Sequence, residues 1–103
     1  MINRAIKVIR QFHNVKQVVL AKELEISKSY LSELESGKKP VNLEVLQKYS
    51  SRFDIPVSSL LFFSENMTAN KKVSEQFKAV FADKILKVME WFSEQNESKE
   101  IKA

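Results

Sequence analysis

Little in this sequence could make or break a covalent bond. His13 is the single histidine, Asp54 and Asp83 are the only aspartates, and no paired set of carboxylates or imidazoles suits general acid–base work or a metal ion. Cysteine is absent, which removes a disulfide framework, a thiol nucleophile and a thiolate zinc site. His13 falls near the end of an apolar-periodic stretch, where a histidine commonly meets the negative end of a helix dipole. No enzymatic constellation stands out and no cofactor is implied. The informative polar residues lie in 17–37, QVVLAKELEISKSYLSELESG, and what they offer is non-covalent: donors, acceptors and charges carried on short helices.

Composition supports helices as the carriers. One glycine and two prolines in 103 residues are few against average usages of roughly 7% and 5%, and hairpins need such residues at many turns. The length allows one domain, or one small domain with an extension. The net charge of +4 is by itself a weak sign of a polyanionic partner. Its distribution is sharper: residues 1–63 hold ten basic and six acidic side chains and residues 64–103 hold seven of each, so the whole excess lies in the first part. Charges interrupt the first seven residues, leaving no signal-peptide core, and no apolar run approaches the ~20 residues a membrane span needs. No membrane partner is expected.

Ile2, Ala5, Ile6 and Ile9 follow helical spacing, with Arg4, Lys7, Arg10 and Gln11 on the other side and Asn14 suited to end the helix. A second helix fits 17–24, turning Leu20, Ala21 and Leu24 inward, and Glu25-Ile26-Ser27 makes a tight connection. Ser27 is a good N-cap for a third helix over 28–36, which buries Leu31 and Leu34 and stops at Gly37. Lys38, Lys39 and Pro40 form a basic loop; Asn42 caps a fourth helix with Leu43, Leu46, Tyr49 and Phe53 as its stripe. Pro56 opens a short fifth helix, and Leu60, Leu61, Phe62 and Phe63 close the compact part.

Two short helices joined by a three-residue turn are the ingredients of a helix-turn-helix. Ala21 lets the first approach the second, and Ile26 inserts from the turn into the core. Through Gln17, Leu20-Ala21, Leu24, Ile26-Ser27, Ser29-Tyr30-Leu31-Ser32, Leu34-Glu35, Gly37-Lys38, Phe53-Asp54-Ile55 and Leu60-Leu61, the stretch 6–61 resembles the Cro and phage-repressor (XRE) family of helix-turn-helix transcriptional regulators. The fold this implies is all-α: a five-helix lambda-repressor-like DNA-binding domain over 1–63, followed by one long C-terminal helix. The implied partner is double-stranded DNA, read by a bacterial or phage-encoded, nucleoid-associated cytoplasmic regulator.

By position, the resemblance implies that Lys28, Ser29, Ser32 and Glu33 face the major groove. There Lys28 would donate to guanine, Glu33 would accept from cytosine N4, and the serines would read either. Lys16, Gln17, Ser27, Tyr30, Lys38 and Lys39 would meet phosphates and supply affinity rather than sequence choice. The resemblance also makes Glu35 a structural residue at the helix–loop junction. Without the turn and Ala21, Lys28 and Glu33 would read as a solvated helix face. Four positions depart from the family pattern: Glu25 stands where glycine is usual, Lys16 replaces the Ser or Thr cap of the second helix, and Val18 and Val19 replace polar residues.

Residues 64–70 (SENMTAN) read as a linker, 71–94 as one long helix and 95–103 as a disordered tail. On a helical wheel, Phe77, Phe81, Ile85, Val88, Trp91 and Phe92 fall with Val73, Val80 and Met89 in an arc of roughly 180°, wider than the ~100° that docks a surface helix. These residues are expected to pair the chain with a second copy, as two-fold reading of half-sites ~34 Å apart favours a homodimer. The same stripe could instead fold back over Phe62 and Phe63 or bind a different protein. The last case defines the alternative function, an antitoxin or antirepressor-like regulator whose C-terminal helix covers a protein partner.

Overall fold

The computed structural model describes residues 2–67 and 83–102, with the side chains of 2–67 and 85–95. Among them all regular structure is helical: α1 (Ile2–Phe12), α2 (Gln17–Glu23), α3 (Lys28–Ser36), α4 (Leu43–Phe53), α5 (Val57–Asn66) and α6 (Asp83–Lys102). Local chemistry sets the boundaries. Ser27 Oγ accepts from the Tyr30 N–H at 3.0 Å and Asn42 Oδ1 accepts from the Val45 N–H at 2.9 Å, each satisfying one of the donors that a helix start leaves free. α1, α3 and α4 are each followed by a left-handed residue, namely Asn14 (φ 56°), Gly37 (φ 85°) and Asp54 (φ 54°). Of these, only Gly37 adopts that conformation without steric cost. His13 Nδ1 donates to the Ile9 carbonyl at 2.7 Å, at the C-terminal end of α1 as expected.

The buried stripes converge on one core. α1 contributes Ala5, Ile6, Val8 and Ile9; α2 and α3 contribute Leu20, Ala21, Leu31 and Leu34. α4 and α5 add Val45, Leu46, Tyr49, Phe53, Leu60 and Phe63. Leu43 and Leu61, read from the sequence as part of the core, are instead 60% and 44% exposed. Leu43 is the first helical residue after the Asn42 cap, beyond the end of the buried stripe, and Leu61 lies between the two inward rows of α5, Leu60 and Phe62–Phe63.

In the second half of the chain the helices run past the boundaries expected from the sequence. α5 continues through Ser64–Asn66, part of the presumed linker; the Asn66 side chain donates to the Phe62 carbonyl at 2.8 Å and Met67 is buried. α6 runs to Lys102 through the stretch read as a disordered tail, a segment of glutamate, lysine, glutamine and serine without glycine or proline to stop it. The apolar stripe of α6 packs within its own chain, against α1 and α5. Ile85 and Val88 are fully buried, Trp91 meets Phe12 edge-on at 5.6 Å, Phe92 meets Phe63 at 6.0 Å, and Arg4 lies over the Phe92 ring. The physical reason is that α1 to α5 leave aromatic surface on α1 and α5 that α6 removes from water. Phe77 and Phe81, the other two residues expected to dimerise, lie outside the described residues, as does 68–82 generally. Among the described residues no helix is long and apolar enough to cross a membrane.

Two local costs are built into this frame. Glu25 sits at φ 58° in the turn after α2, a conformation that strains a residue with a Cβ by about 1–2 kcal/mol. Tyr49 is fully buried, and its hydroxyl has no hydrogen-bond partner among the described residues. Burial, and after it the nearby Glu35 carboxylate, pushes the Tyr49 phenol well above the ordinary tyrosine range.

From these features we expect three outcomes in urea unfolding. Ile85→Ala lowers stability by about 2–4 kcal/mol, and the loss is independent of protein concentration; a loss that disappears on dilution would place the contact between chains. Glu25→Gly raises stability by about 0.5–1 kcal/mol, the relieved strain less the extra entropy of glycine. A phenol whose folded pKa is raised contributes stability that is intact below its unfolded value near ~10 and is lost as pH rises above it. Tyr49→Phe is therefore expected to flatten the loss of stability above pH ~10, and to leave neutral-pH stability equal or higher because a buried unpaired hydroxyl is removed.

Candidate nucleic-acid interface

The surface formed by α2, α3 and the loop after α3 is held from behind by one carboxylate. Glu35 is only 6% exposed. Arg10 of α1 grips it with two parallel bonds, Nε to Oε2 at 2.7 Å and Nη2 to Oε1 at 3.0 Å, and donates its third bond from Nη1 to the Val15 carbonyl at 2.9 Å. Gln17, at the first position of α2, donates Nε2 to Glu35 Oε1 at 3.0 Å. The hydrogen bond to Glu35 outweighs desolvation and raises the Arg10 pKa further, so the guanidinium stays charged at every ordinary pH. The structural reading of Glu35 thus has its partners. Gln17, expected at a phosphate, turns its side-chain donor inward instead, because a desolvated carboxylate needs all its lone pairs satisfied.

The turn brings α3 across α2. Leu24 N–H donates to Leu20 O at 2.9 Å, Glu25 N–H to Lys22 O at 3.1 Å and Ile26 N–H to Ala21 O at 3.0 Å. Ala21 is 2% exposed, and Ile26 packs half-buried against the core. α4 steadies the same corner: Lys48 Nζ donates to Leu24 O at 2.9 Å, and Arg52 pairs with Glu23. Lys16 precedes α2 in an extended conformation and makes no side-chain cap bond. Val18 and Val19 remain exposed on α2.

With Leu31, Leu34 and Glu35 turned inward, α3 presents Lys28, Ser29 and Ser32 exposed and Glu33 half-exposed on its outer side. These are the four residues expected to read base edges, and the fold brings them to one face. Ser27 is exposed with its oxygen committed to the cap, and Tyr30 is half-buried. In the loop, Lys38 and Lys39 are both exposed, and Lys39 lies back over α3 with Nζ at 3.1 Å from Glu33 Oε2 and 5.5 Å from the Tyr30 ring centre.

Sequence reasoning missed two anchors of this face. Helical spacing places Arg10 on the polar side of α1 without indicating a buried partner, and Asn3 carries no signal at all. Asn3 Nδ2 donates to the carbonyls of Leu34 and Lys39, both at 2.8 Å, tying the first turn of α1 to the end of α3 and the basic loop. The only available hint for Arg10 is a glutamate 25 positions later, one residue after the core position Leu34, and for Asn3 the partner atoms are backbone carbonyls that no residue type announces.

A helix-turn-helix family model matches residues 6–60, more than half of the chain. The HTH-type transcriptional regulator PrpR of Mycobacterium tuberculosis is similar, at 35% identity over 75 residues. That match covers 73% of this chain and 14% of the relative, so the chain spans a small part of that protein's length. No solved structure matches the chain. The match across α1 to α5, on the same stretch that carries the turn, Ala21 and the reading face, establishes that the chain belongs to the XRE-type helix-turn-helix family.

Proposed function

We propose that this protein is a sequence-specific DNA-binding transcriptional regulator that sets α3 in the major groove. Membership of the helix-turn-helix family and likeness to a transcriptional regulator support DNA-binding transcription regulation. The observation that carries the finer reading is the outer side of α3, where Lys28, Ser29, Ser32 and Glu33 stand together while Leu31, Leu34 and Glu35 are buried. Lys28 donates to guanine O6 and N7, Glu33 accepts from cytosine N4, and the serine hydroxyls adapt to either. Phosphates are met by Lys38, by Lys16 and by the N-terminus of α2, whose backbone N–H groups lack helical partners. Two copies related by a two-fold axis would place their α3 helices on half-sites about one DNA turn apart, ~34 Å, on a pseudo-palindromic operator, and occupancy there represses transcription.

The packing of α6 supports this reading over a protein-interaction regulator of the antitoxin kind. Ile85 and Val88 already have their partners within the chain, so the stripe that would cover another protein is occupied in this stretch. A dimer, accordingly, draws on surface other than these two residues.

Selection from a randomised duplex library is expected to return one preferred, pseudo-palindromic site, with affinity that falls steeply as salt rises because bound counterions are released. Lys38→Ala should weaken binding to all duplexes alike and reduce the salt slope by about one. Lys28→Ala should change preference at one base pair by about 1–3 kcal/mol. Protein that selects no site, or whose binding ignores salt, would refute the proposal.

A further inference from the structure

We propose that Lys39 is a specificity-determining residue, not a phosphate contact: it orients the Glu33 carboxylate on the reading face of α3, and Asn3 of α1 holds it there. The inference rests on the DNA-reading role proposed above. Lys38 and Lys39 look alike in the sequence, and the fold separates them. Both side chains reach solvent, and the Lys39 ammonium lies 3.1 Å from Glu33 Oε2 and 5.5 Å from the centre of the Tyr30 ring. Residues 30 and 33 are neighbours one helical turn apart, so the ammonium is seated between an anion and a π-face of the same helix side.

The backbone makes that seat. Gly37 reverses the chain in the left-handed conformation, and the Lys39 N–H donates to the Glu33 carbonyl at 3.2 Å. The Asn3 amide then bonds the carbonyls of Leu34 and Lys39, both at 2.8 Å. One side chain thus joins the last turn of α3 to the residue whose side chain folds back over it. A half-exposed ion pair adds little to stability. Its effect is on the geometry and charge of Glu33. A glutamate held in one rotamer loses less freedom when it accepts from a cytosine amine. A carboxylate neutralised by an ammonium is also less repelled by the phosphates that flank the groove.

The test uses the full chain. Library selection with the wild-type protein supplies a preferred duplex, and Glu33→Gln identifies the base pair at which preference depends on that carboxylate. Fluorescence anisotropy is then measured for wild type, Lys39→Met, Glu33→Gln, the double variant, Asn3→Ala and Asn3→Asp. Each is titrated with the preferred duplex, the duplex changed at that base pair, and a scrambled duplex, over a range of salt. We expect Lys39→Met to lose several-fold of the discrimination at that base pair while its affinity for the scrambled duplex and its salt slope stay at wild-type values. It should add nothing in the Glu33→Gln background. Both Asn3 variants should relax the same base pair in the same direction, since each removes the donor. Lys39→Met changes a surface side chain and carries the test even where an Asn3 variant proves unstable in thermal unfolding. An unchanged preference overturns the proposal. So does an equal loss on all duplexes with a salt slope reduced by about one, the signature of a phosphate contact. Wild-type protein that prefers no duplex overturns the DNA-reading role itself, and with it this inference, before any variant is measured.

Discussion

A carboxylate almost removed from water must be neutralised and hydrogen-bonded, or the fold that buries it is not stable. Glu35 imposes that requirement on three helices at once: α3 carries it, α1 supplies the Arg10 guanidinium and α2 supplies the Gln17 amide. A buried charge left without its partner costs about 3–5 kcal/mol, so the three helices are tied to the one arrangement that satisfies it. That arrangement fixes the angle at which α3 stands out from the domain. The third guanidinium bond, to Val15 O, extends the constraint to the connection between α1 and α2. Because the Arg10 pKa is raised, its contribution is present across all ordinary pH, below the unfolded value, and is lost only in strong alkali as pH rises through the folded value.

α1 is the element on which both halves of the structure lean. Asn3 and Arg10 reach toward α3 and its loop, whereas Arg4 and Phe12 meet Phe92 and Trp91 of α6. The packing of α6 on α1 and α5 therefore buttresses the helix that positions the exposed face of α3. Regulators of this type need a rigid helix, since base-edge hydrogen bonds tolerate little displacement. Here the rigidity comes from aromatic burial on one side of α1 and a polar network on the other.

Much of the helical frame was legible because its signals are local. Ser27 and Asn42 are caps by virtue of their own oxygens, and Asn14 and Gly37 end helices because they tolerate positive φ. Glu25 was expected to carry strain where glycine is usual, and it sits at φ 58°. The outward face of α3 was legible through the resemblance, which located the helix, and through the spacing of Leu31 and Leu34 among polar residues. Leu43 and Leu61 were misread because hydrophobic spacing identifies a stripe but not where its neighbours run out. The role of α6 was open for a related reason: a wide apolar arc states that surface must be buried, without stating against what.

Residue types and their local spacing were enough for the helical class of the described residues, the caps and stops that divide α1 to α4, the helix-turn-helix and the location of the excess charge. These follow from side-chain chemistry acting within a few residues and from the 3.6-residue period. Tertiary structure decided what each polar side chain is for. It brought Gln17 to Glu35, seated the Lys39 ammonium beside Glu33, gave Asn3 its two carbonyl partners and folded α6 onto its own chain. The reason is physical: each of these outcomes depends on atoms brought together from distant stretches of chain, often backbone carbonyls, and a residue's type records what bonds it can make but not which partners the fold will bring within reach.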